Sequence, residues 1–142
     1  MTIEEKNKKS LILKICALTF FIFFANFLAM KFYWYFSIWY FDMIMHFIGG
    51  FFISLLVYWL YYYSGLVKDG KKYSKKFVIL LSIIGVLTIG VLWEIFEFNI
   101  SAFITHTPQV ILDTFGDIFF DLSGSMLGTL YFLRRLYPQK NQ

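Results

Sequence analysis

Six carboxylates and one histidine stand in stretches that are otherwise almost wholly apolar: Asp42 and His46, Glu94 and Glu97, and Asp113, Asp117 and Asp121. Their spacings are i,i+4, then i,i+3, then two successive i,i+4 steps, so on helices each set projects from one face. Carboxylates around a single imidazole suit hard or borderline cations such as Mg²⁺, Mn²⁺, Ca²⁺ or Fe²⁺. Zn²⁺ fits less well, because it draws more histidine and cysteine. His46, Glu94, Asp117 and Asp121 are the expected metal ligands. Glu97 or Asp42 is the expected general base to a metal-bound water. An ionised side chain at the centre of a membrane helix costs about 2.5–3.5 kcal/mol on insertion scales, so such residues are kept for function.

Each residue also has a plainer reading. Asp42 and Asp113 suit helix N-caps, and Asp117 suits a first turn stabilised by the helix dipole. A lone His46 would be an interior hydrogen-bonded histidine. Glu94 and Asp121 lie too deep to be caps and carry the strongest functional expectation. His106, beside Thr107 and Pro108, reads as a loop residue, Trp93 as packing, and Ser123 and Ser125 as small packing residues.

The elements that must position these side chains follow from composition. Hydrophobic residues make up 59% of the 142 and aromatics 23%, more apolar surface than a soluble domain of this length can hide. An all-α, polytopic membrane protein follows, in contact with the lipid bilayer. Four apolar runs, about 11–39, 41–63, 77–100 and 116–134, each supply the roughly 20 residues that cross a hydrocarbon layer near 30 Å thick. The whole chain, 1–142, reads as one four-helix transmembrane domain. The first run follows Lys6, Lys8 and Lys9, as a signal peptide would, but it is too long and Ala25 and Ala29 lack cleavage-site spacing. An uncleaved helix is expected.

Of the thirteen basic residues, every one but Lys31 precedes or begins the first run, lies between the second and third, or ends or follows the fourth. The positive-inside rule then places both termini in the cytoplasm, in a multi-pass protein of the plasma or inner membrane. The same topological grouping argues against a nucleic-acid surface for the net charge of +4. Cys16, the single cysteine, excludes an intrachain disulfide and a cysteine zinc site.

On this frame, at 1.5 Å per residue, Asp42, Glu97 and Asp117 lie within roughly 5 Å of the outer edge. His46, Glu94 and Asp121 lie about one turn deeper. Gly49, Gly50, Gly90, Gly124 and Gly128 continue the same faces and let helices approach closely. Six carboxylates with only Lys31 on their side cannot all ionise uncompensated. Cations, shared protons or a basic membrane partner would resolve this, and a cation is the favoured answer. The functional expectation is a metal-dependent membrane hydrolase or transferase acting on lipid-linked or lipid-headgroup substrates. A cation or proton transporter, a metal-binding accessory and a structural subunit of a complex remain alternatives. Pairing with a second copy or another membrane protein is open.

Asp42-Met-Ile-Met-His46, Trp93-Glu94-Ile-Phe-Glu97, and the run Asp113, Asp117, Asp121 to Gly124 together resemble the VanZ-like membrane proteins, closest to their YjdF-type relatives. The resemblance covers roughly residues 40–130. It implies a small multi-helix protein of the cell envelope whose polar residues form a shared site.

Overall fold

The computed structural model describes residues 2–64, 74–104 and 111–135. Five helices occupy them: α1 (Ile3–Phe32), α2 (Trp34–Ser37), α3 (Phe41–Tyr62), α4 (Lys75–Ile104) and α5 (Ile111–Arg135), with no strand among the described residues. His106, Lys68, Lys71, Lys72 and Lys140 lie outside them.

Helix ends differ from those the hydropathy predicts, for local reasons. α1 starts at Ile3 because Thr2 and Glu5 form a capping box: the Glu5 amide donates to Thr2 Oγ1 (3.2 Å) and the Thr2 amide to Glu5 Oε2 (2.7 Å). It stops at Phe32, short of the expected residue 39. Tyr33 adopts a left-handed conformation (φ 57°) and its amide closes on the Ala29 carbonyl. The strain is held by aromatic packing, since Trp34 and Tyr35 both meet the Phe41 ring edge-on at 5.5 and 5.0 Å. α4 continues to Ile104 and α5 begins at Ile111, so each runs past the apolar stretch that announced it.

Among the described residues, three helices are long and apolar enough to cross a membrane: α1 over Glu5–Phe32, α3, and α4 over Lys75–Asn99. α5 has 25 residues, about 37 Å of helix, but carries Asp113, Asp117, Asp121, Arg134 and Arg135.

The tightest seam joins α3 to α5, and glycines make it. A Cβ on Gly50 would land on the Asp121 carbonyl, one on Gly124 on the Phe47 carbonyl, and one on Gly128 on Ser54 Oγ. α4 packs against both helices, whereas α1 leans on α3 and its backbone approaches neither α4 nor α5 among the described residues. An apolar core of Leu11, Ile15, Leu55, Tyr58, Val78 and Phe132 closes the end where α3 finishes and α4 starts. The other end holds the acids.

Candidate functional site

His46 is buried on α3 and sits at the centre of the cluster. Its Nε2 lies 3.8 Å from Asp42 Oδ1, one turn earlier, and 3.8 Å from Asp117 Oδ1 on α5. Its Nδ1 lies 3.4 Å from Asp121 Oδ1. The two ring nitrogens therefore face different carboxylates, and α5 supplies one to each.

Among the described residues, two groups have ligand atoms within 4.8 Å of one another: Asp42, His46 and Asp117, and His46, Glu94 and Glu97. They share the imidazole. Opposite ligands of an ion with bonds of about 2.1 Å stand roughly 4.2 Å apart, so either group is spread on the scale of one cation. Like charges at 4.8 Å repel by roughly 3.5 kcal/mol at an effective dielectric constant near 20. Each group contains such a carboxylate pair.

The polar atoms facing this cluster are poorly satisfied. Glu94 is 6% exposed and Asp117 2%. Both carboxylate oxygens of Glu94, and Asp117 Oδ2, are buried with no hydrogen-bond partner among the described residues. The Thr114 side chain comes near Glu94 from α5 without completing a hydrogen bond. A buried acceptor left unmade costs about 1–3 kcal/mol, and more when charged.

The other residues singled out by sequence fall as follows. Asp42 is half-buried in the first turn of α3, after an N-cap, Tyr40, that makes no side-chain cap bond. Glu97 is half-buried. Asp113 lies exposed in the first turn of α5 and joins neither group. Asp121 is buried beside His46 but is also outside both groups. Trp93 is half exposed.

Two polar features carry no signal strong enough to read in the sequence. Tyr35 on α2 donates to Asn26 Oδ1 on α1 at 2.5 Å, and Asn26 Nδ2 donates to the Ile22 carbonyl. Burial, then the nearby Asp42 and Glu97 carboxylates, push the Tyr35 phenol up to about 12. Asn26, a lone amide in an apolar helix, was the available hint. The second feature is a set of buried hydroxyls farther along the α3–α5 seam. Ser125, expected only to fill space, pairs with Ser82 at 2.8 Å, and Tyr58 pairs with Thr129 at 2.7 Å.

The family described as predicted membrane protein (DUF2238) matches residues 3–137. The chain belongs to that family. No curated protein and no solved structure matches it. The match spans every element that carries the cluster, so the buried His/Asp/Glu group lies within a membrane-protein domain.

Proposed function

We propose that the cluster binds a divalent cation and that the protein is a metal-dependent membrane enzyme acting on lipid-linked or lipid-headgroup substrates. One observation carries this reading: Glu94 offers two buried oxygens, and Asp117 one, that no described residue satisfies. A cation in each group would satisfy these oxygens and cancel the repulsion within each carboxylate pair. In this reading His46 Nε2, Asp117 and Asp42 hold an ion in one group, Glu94 and Glu97 hold one beside the same ring in the other, and Asp42 or Glu97 takes the proton from a bound water. Asp121 holds the Nδ1 proton and so fixes the ring with Nε2 turned to the ion. Mg²⁺, Mn²⁺, Ca²⁺ or Fe²⁺ suits this donor set better than Zn²⁺. When bound, the ion supplies Lewis-acid polarisation of a phosphoryl or carbonyl oxygen and an acidified water.

The same proposal takes α5 as a fourth span, its aspartates turned inward to the seam. Both termini lie in the cytoplasm of a plasma or inner membrane, and the acids lie near the outer face. The distribution of lysine and arginine supports that orientation. The motif resemblance to VanZ-like and YjdF-type proteins supports a cell-envelope setting.

Metal analysis tests the reading directly. Protein purified with Mn²⁺ and Mg²⁺, then desalted, should retain about one or two ions per chain, and Glu94→Gln should lose them. A wild-type protein that holds no divalent ion in direct titration would overturn the proposal.

A further inference from the structure

The acidic cluster forms one end of a cavity of about 210 Å³. Asp42, His46 and Asp121 of the cluster line it together with Asn26 and Tyr35, and Ile22, Ile53 and Ile89 are among its apolar residues. From Asp42 to Ile53 the cavity follows α3 for roughly 16 Å. It therefore descends from the carboxylates toward the apolar middle of the bundle. Polar at one end and hydrocarbon-lined along its length, it has the same gradient as a lipid in one leaflet.

Two features make the cavity reachable from the bilayer. All five helices contribute to its walls, yet among the described residues the α1 backbone does not close against α4. Ile89 and Trp93, on the α4 side, are each about half exposed. The polar end is cleared by glycines: a Cβ on Gly90 would come within 2.7 Å of Asp121 Oδ2, and one on Gly49 within 3.9 Å of Oδ1. Bare backbone at those points lets a headgroup reach the acids.

We propose that this cleft is the substrate seat and that its occupant is a phosphate-bearing membrane lipid. The phosphate meets a cation in the group of Asp42, His46 and Asp117, two of whose residues line the cavity, and the chain segment next to it lies between α1 and α4. The choice of an anionic head rests on the cation reading above, because bare carboxylates would repel phosphate. The choice of a chain rests on the cleft alone.

The test uses the full chain in maltoside micelles with Trp34, Trp39 and Trp59 replaced by Phe, leaving Trp93 as the fluorophore on the cleft wall. Mg²⁺ is titrated first, by calorimetry. With Mg²⁺ bound, dodecyl phosphate, inorganic phosphate and dodecyltrimethylammonium are compared by Trp93 emission. Dodecyl phosphate should bind at least about tenfold more tightly than inorganic phosphate, the gain expected from burying about two CH₂ groups. Ile22→Phe and Ile89→Phe, each narrowing the cleft away from the acids, should remove that advantage and leave Mg²⁺ affinity unchanged. Equal affinity for the two phosphates, or preference for the ammonium head with Mg²⁺ bound, overturns the lipid proposal alone. Failure of Mg²⁺ to bind overturns the cation reading, and the phosphate assignment falls with it.

Discussion

Along one ridge of α5 the residues Asp117, Asp121, Ser125 and Thr129 follow one another at every fourth position, and all four are buried. Toward the C-terminal end of that ridge the hydroxyls are paired: Ser125 with Ser82, Thr129 with Tyr58, and Tyr58 again with the Val78 carbonyl at 3.2 Å. The Tyr58 ring stacks on Phe132 with centroids 4.2 Å apart. Toward the N-terminal end the carboxylates of Asp117 and of Glu94 opposite keep three buried oxygens without a partner among the described residues. The same helix faces thus bury polar groups in two ways. Hydroxyls that satisfy each other are interhelical glue, worth about 0.6 kcal/mol each and at most about 1.7 in a membrane. Carboxylates that satisfy nothing contribute no comparable stability, so their persistence calls for a ligand.

The largest effect should come from the backbone seam that both ends share. Gly124→Leu places its Cβ against the Phe47 carbonyl and within 2.9 Å of the Phe51 amide nitrogen, atoms that cannot swing aside. A loss of about 3 kcal/mol or more is expected, enough to abolish folding, seen as aggregation on gel filtration in detergent. Gly116 is the control, because a Cβ there meets nothing within 4 Å. Gly116→Ala should keep the fold and stabilise it by up to about 1 kcal/mol. If both variants behave alike, α3 and α5 are not packed as described.

Next in size is a pair of substitutions that separates the two ends. Glu94→Gln should lower divalent-ion affinity by about 100-fold or more while leaving the thermal midpoint of the ion-free protein unchanged or raised, since it removes a buried charge that lacks a partner. Tyr58→Phe should do the reverse: unchanged ion affinity, with stability lower by about 1 kcal/mol. Calorimetric titration and thermal unfolding of both variants would erase the contrast if Glu94→Gln destabilised the ion-free protein as much as Tyr58→Phe does.

What the sequence discloses tracks what is periodic. Asp42 and His46, Glu94 and Glu97, and the aspartates of α5 declare their faces through i,i+3 and i,i+4 spacing. Gly50 and Gly124 likewise mark the seam where α3 meets α5. Non-local choices stay hidden. Nothing in the run Tyr33–Phe36 says that the chain breaks at Tyr33, because the break depends on rings stacking against Phe41 after the turn. Ser82 and Ser125 look like filler until two helices bring them together. Which aspartate faces which nitrogen of His46 depends on side-chain direction, so spacing alone does not say that Asp42 meets Nε2 and Asp121 meets Nδ1.

Asp121 offers a finer division within the acidic end. It meets Nδ1 and stands apart from both ligand groups, so Asp121→Asn should lower ion affinity by about 10- to 100-fold rather than abolish binding. A structural role would give the same loss through misfolding, so the readout is the ring itself. In a His106→Ala background His46 is the chain's remaining histidine. Its ¹⁵N spectrum should show the Nδ1–H tautomer in the Asp121 protein and a mixture of tautomers in the variant. An Nε2–H tautomer in the parent would reverse the assignment and make Nδ1 the free ligand atom.

The smallest effect probes the field of the cluster from outside it. In the folded protein the Tyr35 phenol titrates near 12, against 10.0 unperturbed, through burial first and then through Asp42 and Glu97. A raised folded value favours the neutral phenol, so the stability Tyr35 contributes is present below pH 10 and lost as the pH rises through 12. The carboxylates supply only part of the shift. A cation bound among them should therefore move the Tyr35 titration down toward 10 without reaching it, since burial persists. Ca²⁺, which stays soluble at high pH, is the ion to use. The tyrosinate absorbance difference between the parent and Tyr35→Phe isolates this one phenol among the ten tyrosines. A titration unmoved by saturating Ca²⁺ would mean that no charge had entered between Asp42 and Glu97, and that the acidic end, like the hydroxyl end, is closed to ions.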